Sequence, residues 1–102
     1  MKEHYRQGDV LLVRVASMPL GATKEKVKED IVLAYGETTG HSHRISAQHA
    51  TAYRWQGDRL IQVNSPTCLV HEEHNPIKLE PGVYKLVQQR EYTPQRIRPV
   101  ID

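Results

Sequence analysis

The chain reads as a small all-β domain, a barrel or sandwich with little or no helix, and three observations say so. Its apolar residues fall into runs of five or six, rich in Val, Ile and Tyr, too short for ordinary helices and suited to strands. Gly, Pro, Asn and Asp punctuate the chain between those runs. No stretch carries an apolar stripe at helical spacing. Seven or eight short strands in 102 residues suit a small β-barrel or a sandwich. That length makes one domain over residues 1–102, large enough for a single modest core without a metal or disulfide to hold it. With no phenylalanine, the core must come from Val, Leu and Ile, with tyrosine and Trp55 at its edges.

Taken in order, Gly8-Asp9 precedes residues 10–15, a short apolar run interrupted only by Arg14 and expected to form a central strand covered on both faces. Met18-Pro19-Leu20-Gly21 turns the chain. Residues 22–30 then carry Lys24, Glu25, Lys26, Lys28, Glu29 and Asp30 with only Val27 as a large apolar side chain, which predicts a solvated charged loop. Residues 31–35 read as a second buried strand, closed by the turn Gly36-Glu37-Thr38-Thr39-Gly40. Short strands are expected over 44–47, 50–55 and 59–63, the last two joined by a hairpin at Gln56-Gly57-Asp58. Asn64-Ser65-Pro66 breaks the chain before a strand over 67–71. Asn75-Pro76 disfavours helix, so His71-Glu72-Glu73-His74 is expected to be the end of that strand. Glu80-Pro81-Gly82 suits a type II turn, and a major strand should run over 83–92. Pro94 and Pro99 make 93–102 an extended tail.

Composition excludes some functions and leaves others open. The formal charge is +2 and the pI about 8.8, too mild to demand a polyanionic partner; nucleic acid is allowed but not called for. The lone cysteine, Cys68, has no partner for an internal disulfide; between Thr67 and Leu69 it reads as a buried, inert thiol. The first residues are charged, with no apolar signal core, and no apolar run approaches the ~20 residues that cross a bilayer. A soluble cytoplasmic protein is expected, with no membrane partner. Gly36 to Gly40 lacks the Gly-Lys-Ser/Thr ending of a phosphate loop, so no nucleotide cofactor is indicated.

Chemistry is concentrated in the histidines. Four of six lie in two tight pairs, His41-Ser42-His43 and His71-Glu72-Glu73-His74. Imidazole and carboxylate are the ligands of a divalent transition metal such as zinc, iron or nickel. Alternate strand residues share a face, so His41 and His43 should converge on one ion. By the same parity His71 lies with Leu69 and Glu73, and His74 lies with Cys68, Val70 and Glu72. Only a bend before Asn75-Pro76 can reunite the second pair, which ranks His71 above His74. The expected metal ligands are therefore His41, His43, His71 and His74, with Glu72 and Glu73 as general bases for metal-dependent hydrolytic or oxidative chemistry. The bland alternative is that these are turn-flanking histidines bonded to backbone and carboxylates. His4 and His49 read as surface or rim residues.

A competing function rests on the last strand, where Tyr84, Leu86, Gln88, Arg90 and Tyr92 share one face and Arg96 and Arg98 follow. With Arg44, these residues suit a binding or assembly module contacting protein or single-stranded nucleic acid. Arginine–carboxylate pairing at a subunit interface explains them better, and an exposed long strand also favours a homo-oligomer.

Two resemblances follow from these motifs. Gly8-Asp9-Val10-Leu11-Leu12, Gly40-His41-Ser42-His43-Arg44, His71-Glu72-Glu73-His74, and Pro81-Gly82 through Gln89-Arg90-Glu91-Tyr92 together resemble a group of short uncharacterised bacterial and phage proteins, across nearly the whole chain. That resemblance implies no activity. His-x-His followed by a later histidine also resembles the metal-ligand arrangement of cupin-like barrels. Here residues 44–51 contain no acid where the cupin pattern has a glutamate, and the Pro-Gly turn follows the later histidines instead of preceding them. The cupin resemblance therefore concerns architecture and assigns no residue roles.

Overall fold

A computed structural model describes residues 3–36 and 40–88. These residues contain ten strands and no helix: β1 (His4–Gln7), β2 (Val10–Val15), β3 (Thr23–Lys24), β4 (Asp30–Tyr35), β5 (Ser42–Ser46), β6 (Ala50–Trp55), β7 (Asp58–Val63), β8 (Thr67–Leu69), β9 (Ile77–Leu79) and β10 (Gly82–Gln88). Six of them form one sheet in the order β1-β2-β10-β7-β6-β3, while β4 pairs with β5 and β8 with β9. All pairings are antiparallel. The all-β expectation holds. The barrel does not: three open sheets surround one apolar cluster, and none closes on itself.

Local chemistry explains the two tightest hairpins. Gln56 and Gly57 both have positive φ, 50° and 83°, between the paired residues Trp55 and Asp58. Two left-handed corners make a type I′ turn, whose twist matches that of the strands. In the β1–β2 hairpin, Gln7 pairs with Val10 and Gly8 alone takes a positive φ of 60°, the pattern of a type II′ turn with glycine at its first corner.

The core draws on all three sheets, with Val10, Leu12, Ile31, Ile45, Ile61, Leu69, Leu79 and Tyr84 fully buried. A bulge in β4, where Val32 opposes Arg44 but Ala34 opposes His43, turns both Leu33 and Ala34 inward. Strand β2 is central, as expected, but only Val10 and Leu12 are buried while Leu11, Val13 and Val15 are half-exposed. Its second face is only partly covered. The charged segment 22–30 is largely exposed yet tied down, because β3 pairs with β6 and Glu25 N–H donates to Ala52 O. Glu25 also accepts from the guanidiniums of Arg54 and Arg59, and Val27 packs on the core.

Three expectations are corrected. Cys68 is exposed, because Leu69 occupies the inward position of the short strand β8 and alternation turns Cys68 out. Tyr84 is wholly buried, with its hydroxyl donating to Glu80 O at 2.6 Å and its ring 5.7 Å from that of Tyr5. Burial, then the neighbouring Tyr5, pushes its hydroxyl up to about 12; it is a core residue and not part of a binding face. Strand β10 is an interior strand and not an exposed one, paired with β2 over Val83–Gln88 and with β7 over Gly82–Lys85. Arg90, Tyr92, Arg96 and the tail 93–102 lie outside the described residues, as do residues 37–39. No helix of the described residues is long and apolar enough to cross a membrane.

Candidate metal centre

The site grows from the ends of strands that build the core. Along a strand, residues two apart face the same way. Tyr5 of β1, Ile45 of β5 and Leu69 of β8 all point into the core. Two positions farther along each inward face stand Gln7, His43 and His71. Gln7 and His43 are each 3% exposed, an unusual degree of burial for polar side chains, and His71 is half-buried.

A single backbone bridge brings two of these ends together. Arg44 and Val70 exchange both hydrogen bonds at 3.0 Å, and antiparallel pairing there sets His43 opposite His71. Their ring centroids are 4.3 Å apart. Beyond Val70 the chain leaves β-structure and bends through Glu72, Glu73 and His74. The expected strand therefore stops early, and the bend that parity requires is present. His74 comes back to 4.8 Å from His71 and 5.6 Å from His43.

The donor atoms form two groups. One of His43, His71 and His74, and another of His41, His71 and Glu72, each lie within 4.8 Å of one another. His71 is common to both. His41 and His43 fall in different groups, because β5 begins at Ser42 and His41 stands outside the strand whose parity was to align them. Its ring is 5.7 Å from that of His71, and its Nδ1 is 3.4 Å from Glu73 Oε2.

Gln7 settles the tautomer of His43. Its amide nitrogen donates to Leu69 O at 3.1 Å and to Asn75 O at 3.0 Å. Both partners are carbonyls and accept only, so the other end of the amide is the oxygen, 2.8 Å from His43 Nδ1. Nδ1 must then carry the proton, which leaves Nε2 as the ligating nitrogen. Sequence reasoning missed Gln7. The available signal was its place two residues from Tyr5 at a Gly-Asp turn.

The acids divide by environment. Glu72 accepts from Ser42 N–H at 3.0 Å and from Arg44 Nη1 at 2.9 Å. The Ser42 amide first, then Arg44, hold its carboxyl down to about 2. A carboxylate so held is a weak proton acceptor at neutral pH. Glu73 is exposed and lies beside His41. Arg44 is occupied on this face, since it also donates to Ser42 O. His49 bonds Ser65 Oγ at 3.0 Å through Nδ1, away from the cluster.

A model of a domain of unknown function, DUF8820, matches residues 6–89. The chain belongs to that family. The DUF8820 match takes in Gln7, both histidine pairs and the acids between them, and stops before Arg90, Tyr92 and Arg96. No curated protein and no solved structure matches the chain.

Proposed function

We propose that this DUF8820 chain is a metal-binding domain in which His43, His71 and His74 hold a divalent transition metal of the zinc, iron or nickel class, for hydrolytic chemistry. The observation that carries this reading is convergence: three imidazoles from β5, the end of β8 and the following bend offer donor atoms within 4.8 Å of one another. Ligands of a tetrahedral zinc stand ~3.3 Å apart, given Zn–N bonds of about 2.0–2.1 Å. His74 is exposed, and His71 is held only by the solvent-exposed bond that its Nδ1 accepts from Glu73 N–H at 3.0 Å. Rotation of the two side chains, with release of that bond where His71 ligates through Nδ1, would close the difference.

Three histidines make a neutral ligand set, which leaves the metal's charge to act on whatever oxygen binds next. Such a metal polarises a carbonyl or phosphoryl oxygen and lowers the pKa of bound water. His74 is exposed and His71 half-exposed, so water and small substrates reach the centre from that side. The set of His41, His71 and Glu72 is the weaker alternative, because Arg44 and the Ser42 N–H already draw on the charge of the Glu72 carboxylate. Elemental analysis of tag-free protein, scored as metal per chain, followed by ester and phosphoester assays of the loaded protein, tests the proposal. About one zinc, iron or nickel per chain, with turnover lost in His71→Ala, supports it; a protein that takes up none of them refutes it.

A further inference from the structure

The turn between β1 and β2 touches the histidine cluster with three consecutive residues. Gln7 fixes the His43 tautomer. A Cβ on Gly8 would come within 3.0 Å of His74 Nε2 and 3.2 Å of His43 Cε1, so this backbone lies directly against both rings. Asp9 Oδ1 is 3.6 Å from His43 Nε2.

That distance and the tautomer together suit a shared cation. With the proton on Nδ1, Nε2 presents a lone pair, and a carboxylate oxygen beside it presents another. Two acceptors facing one another repel, and a cation between them converts the repulsion into attraction. Two ligands on one tetrahedral zinc stand ~3.3 Å apart, close to the 3.6 Å seen here. A proton on Nε2 also answers the charge problem, but it does not use the imidazoles of His71 and His74 beside it. A metal would use all four, with Asp9, which lies outside the 4.8 Å set of the three imidazoles, drawn in from its place beside His43.

Resting on the proposed metal centre, we infer that the β1–β2 turn belongs to it, with Asp9 as its carboxylate ligand and Gln7 as the positioning residue that presents His43 Nε2. The centre is then three imidazoles and one carboxylate, a harder and less positively charged site than histidines alone. Gln7 has two separable roles. Its amide N–H groups clamp the end of β8 to the loop at Asn75, while its carbonyl oxygen holds the His43 proton on Nδ1. Only the second reaches the metal.

The test compares wild type, Asp9→Asn, Gln7→Leu and Gln7→Glu for zinc affinity by chelator competition, for the visible spectrum of the cobalt(II) form, and for Tm without metal. Asp9→Asn should bind zinc at least tenfold more weakly and shift the cobalt bands. Gln7→Leu should lose roughly 10–100-fold in affinity, as outer-shell changes do. Gln7→Glu keeps an acceptor for His43 Nδ1–H but loses both amide donors, so its Tm should fall while its zinc affinity stays near that of wild type. An Asp9→Asn protein that matches wild type in affinity and cobalt spectrum overturns the ligand assignment while leaving the histidine site standing. Equal loss in Gln7→Glu and Gln7→Leu overturns the positioning role. Wild type that binds neither zinc nor cobalt overturns the metal centre, and this inference with it.

Discussion

The two ligand groups share His71 and differ in almost everything else. His43 is buried at the end of the core face of β5, with its proton placed by Gln7. His41 stands outside that strand, and the acid of its group is already held by Ser42 and Arg44. In the first group the His43 donor is set before a metal arrives; in the second the carboxylate already shares its charge with Arg44, and His71 Nδ1, common to both, accepts from Glu73 N–H at 3.0 Å. Glu72, one of the two acids that the sequence offered as general bases, ties β5 to the bend after β8.

Substitutions can break that contrast. The largest effect should come from His74→Ala set against Glu72→Gln. His74→Ala is expected to weaken zinc binding by more than the roughly 10–100-fold typical of an outer-shell change, while Glu72→Gln leaves affinity near wild type; titration calorimetry with zinc reads both, and the reverse ranking would move the site to the His41 group. Gly8→Ala comes next. Its φ of 60° and the contact with His74 predict a destabilisation of about 1–3 kcal/mol from backbone strain, with weaker metal binding as the rings are displaced; chemical denaturation with and without zinc measures the two parts.

Acid stability gives a smaller and more specific signal. Glu72 is held from 4.5 down to about 2. A depressed carboxylate contributes stability that is fully present above its unfolded pKa and is lost as pH falls through the folded one. Thermal melts from pH 6 to pH 2 should therefore show wild type more stable than Glu72→Gln at the upper end, with the gap closing between about 4.5 and 2. A constant gap across that window would mean that the Ser42 and Arg44 contacts do not hold the carboxylate.

Much of this was legible in the sequence, for reasons that also mark where legibility ended. Alternation within strands correctly set His71 on the face of Leu69, because that rule is local and β8 is regular up to Leu69. The same rule failed for His41, since it needs a strand and β5 starts one residue later. The Gln56-Gly57 hairpin was readable because two adjacent left-handed corners restrict the residues that fit. The bend at Glu72 to His74 was readable only as a requirement, from Asn75-Pro76. Gln7 was not readable, because its role comes from bonds to Leu69 and Asn75, more than 60 positions away in the chain. Tyr84 was placed on an open face because alternation says which residues share a face and not which face is buried. Strands β1 and β3 are short and mostly polar, and they form by pairing with the longer β2 and β6.

The most direct measurement is metal content of His43→Ala and His41→Ala, purified side by side with wild type, loaded with zinc and freed of excess. About one zinc per chain in wild type and His41→Ala, with none retained by a folded His43→Ala, is the expected result. Zinc retained by His43→Ala and lost from His41→Ala would contradict it, and would place the metal among His41, His71 and Glu72.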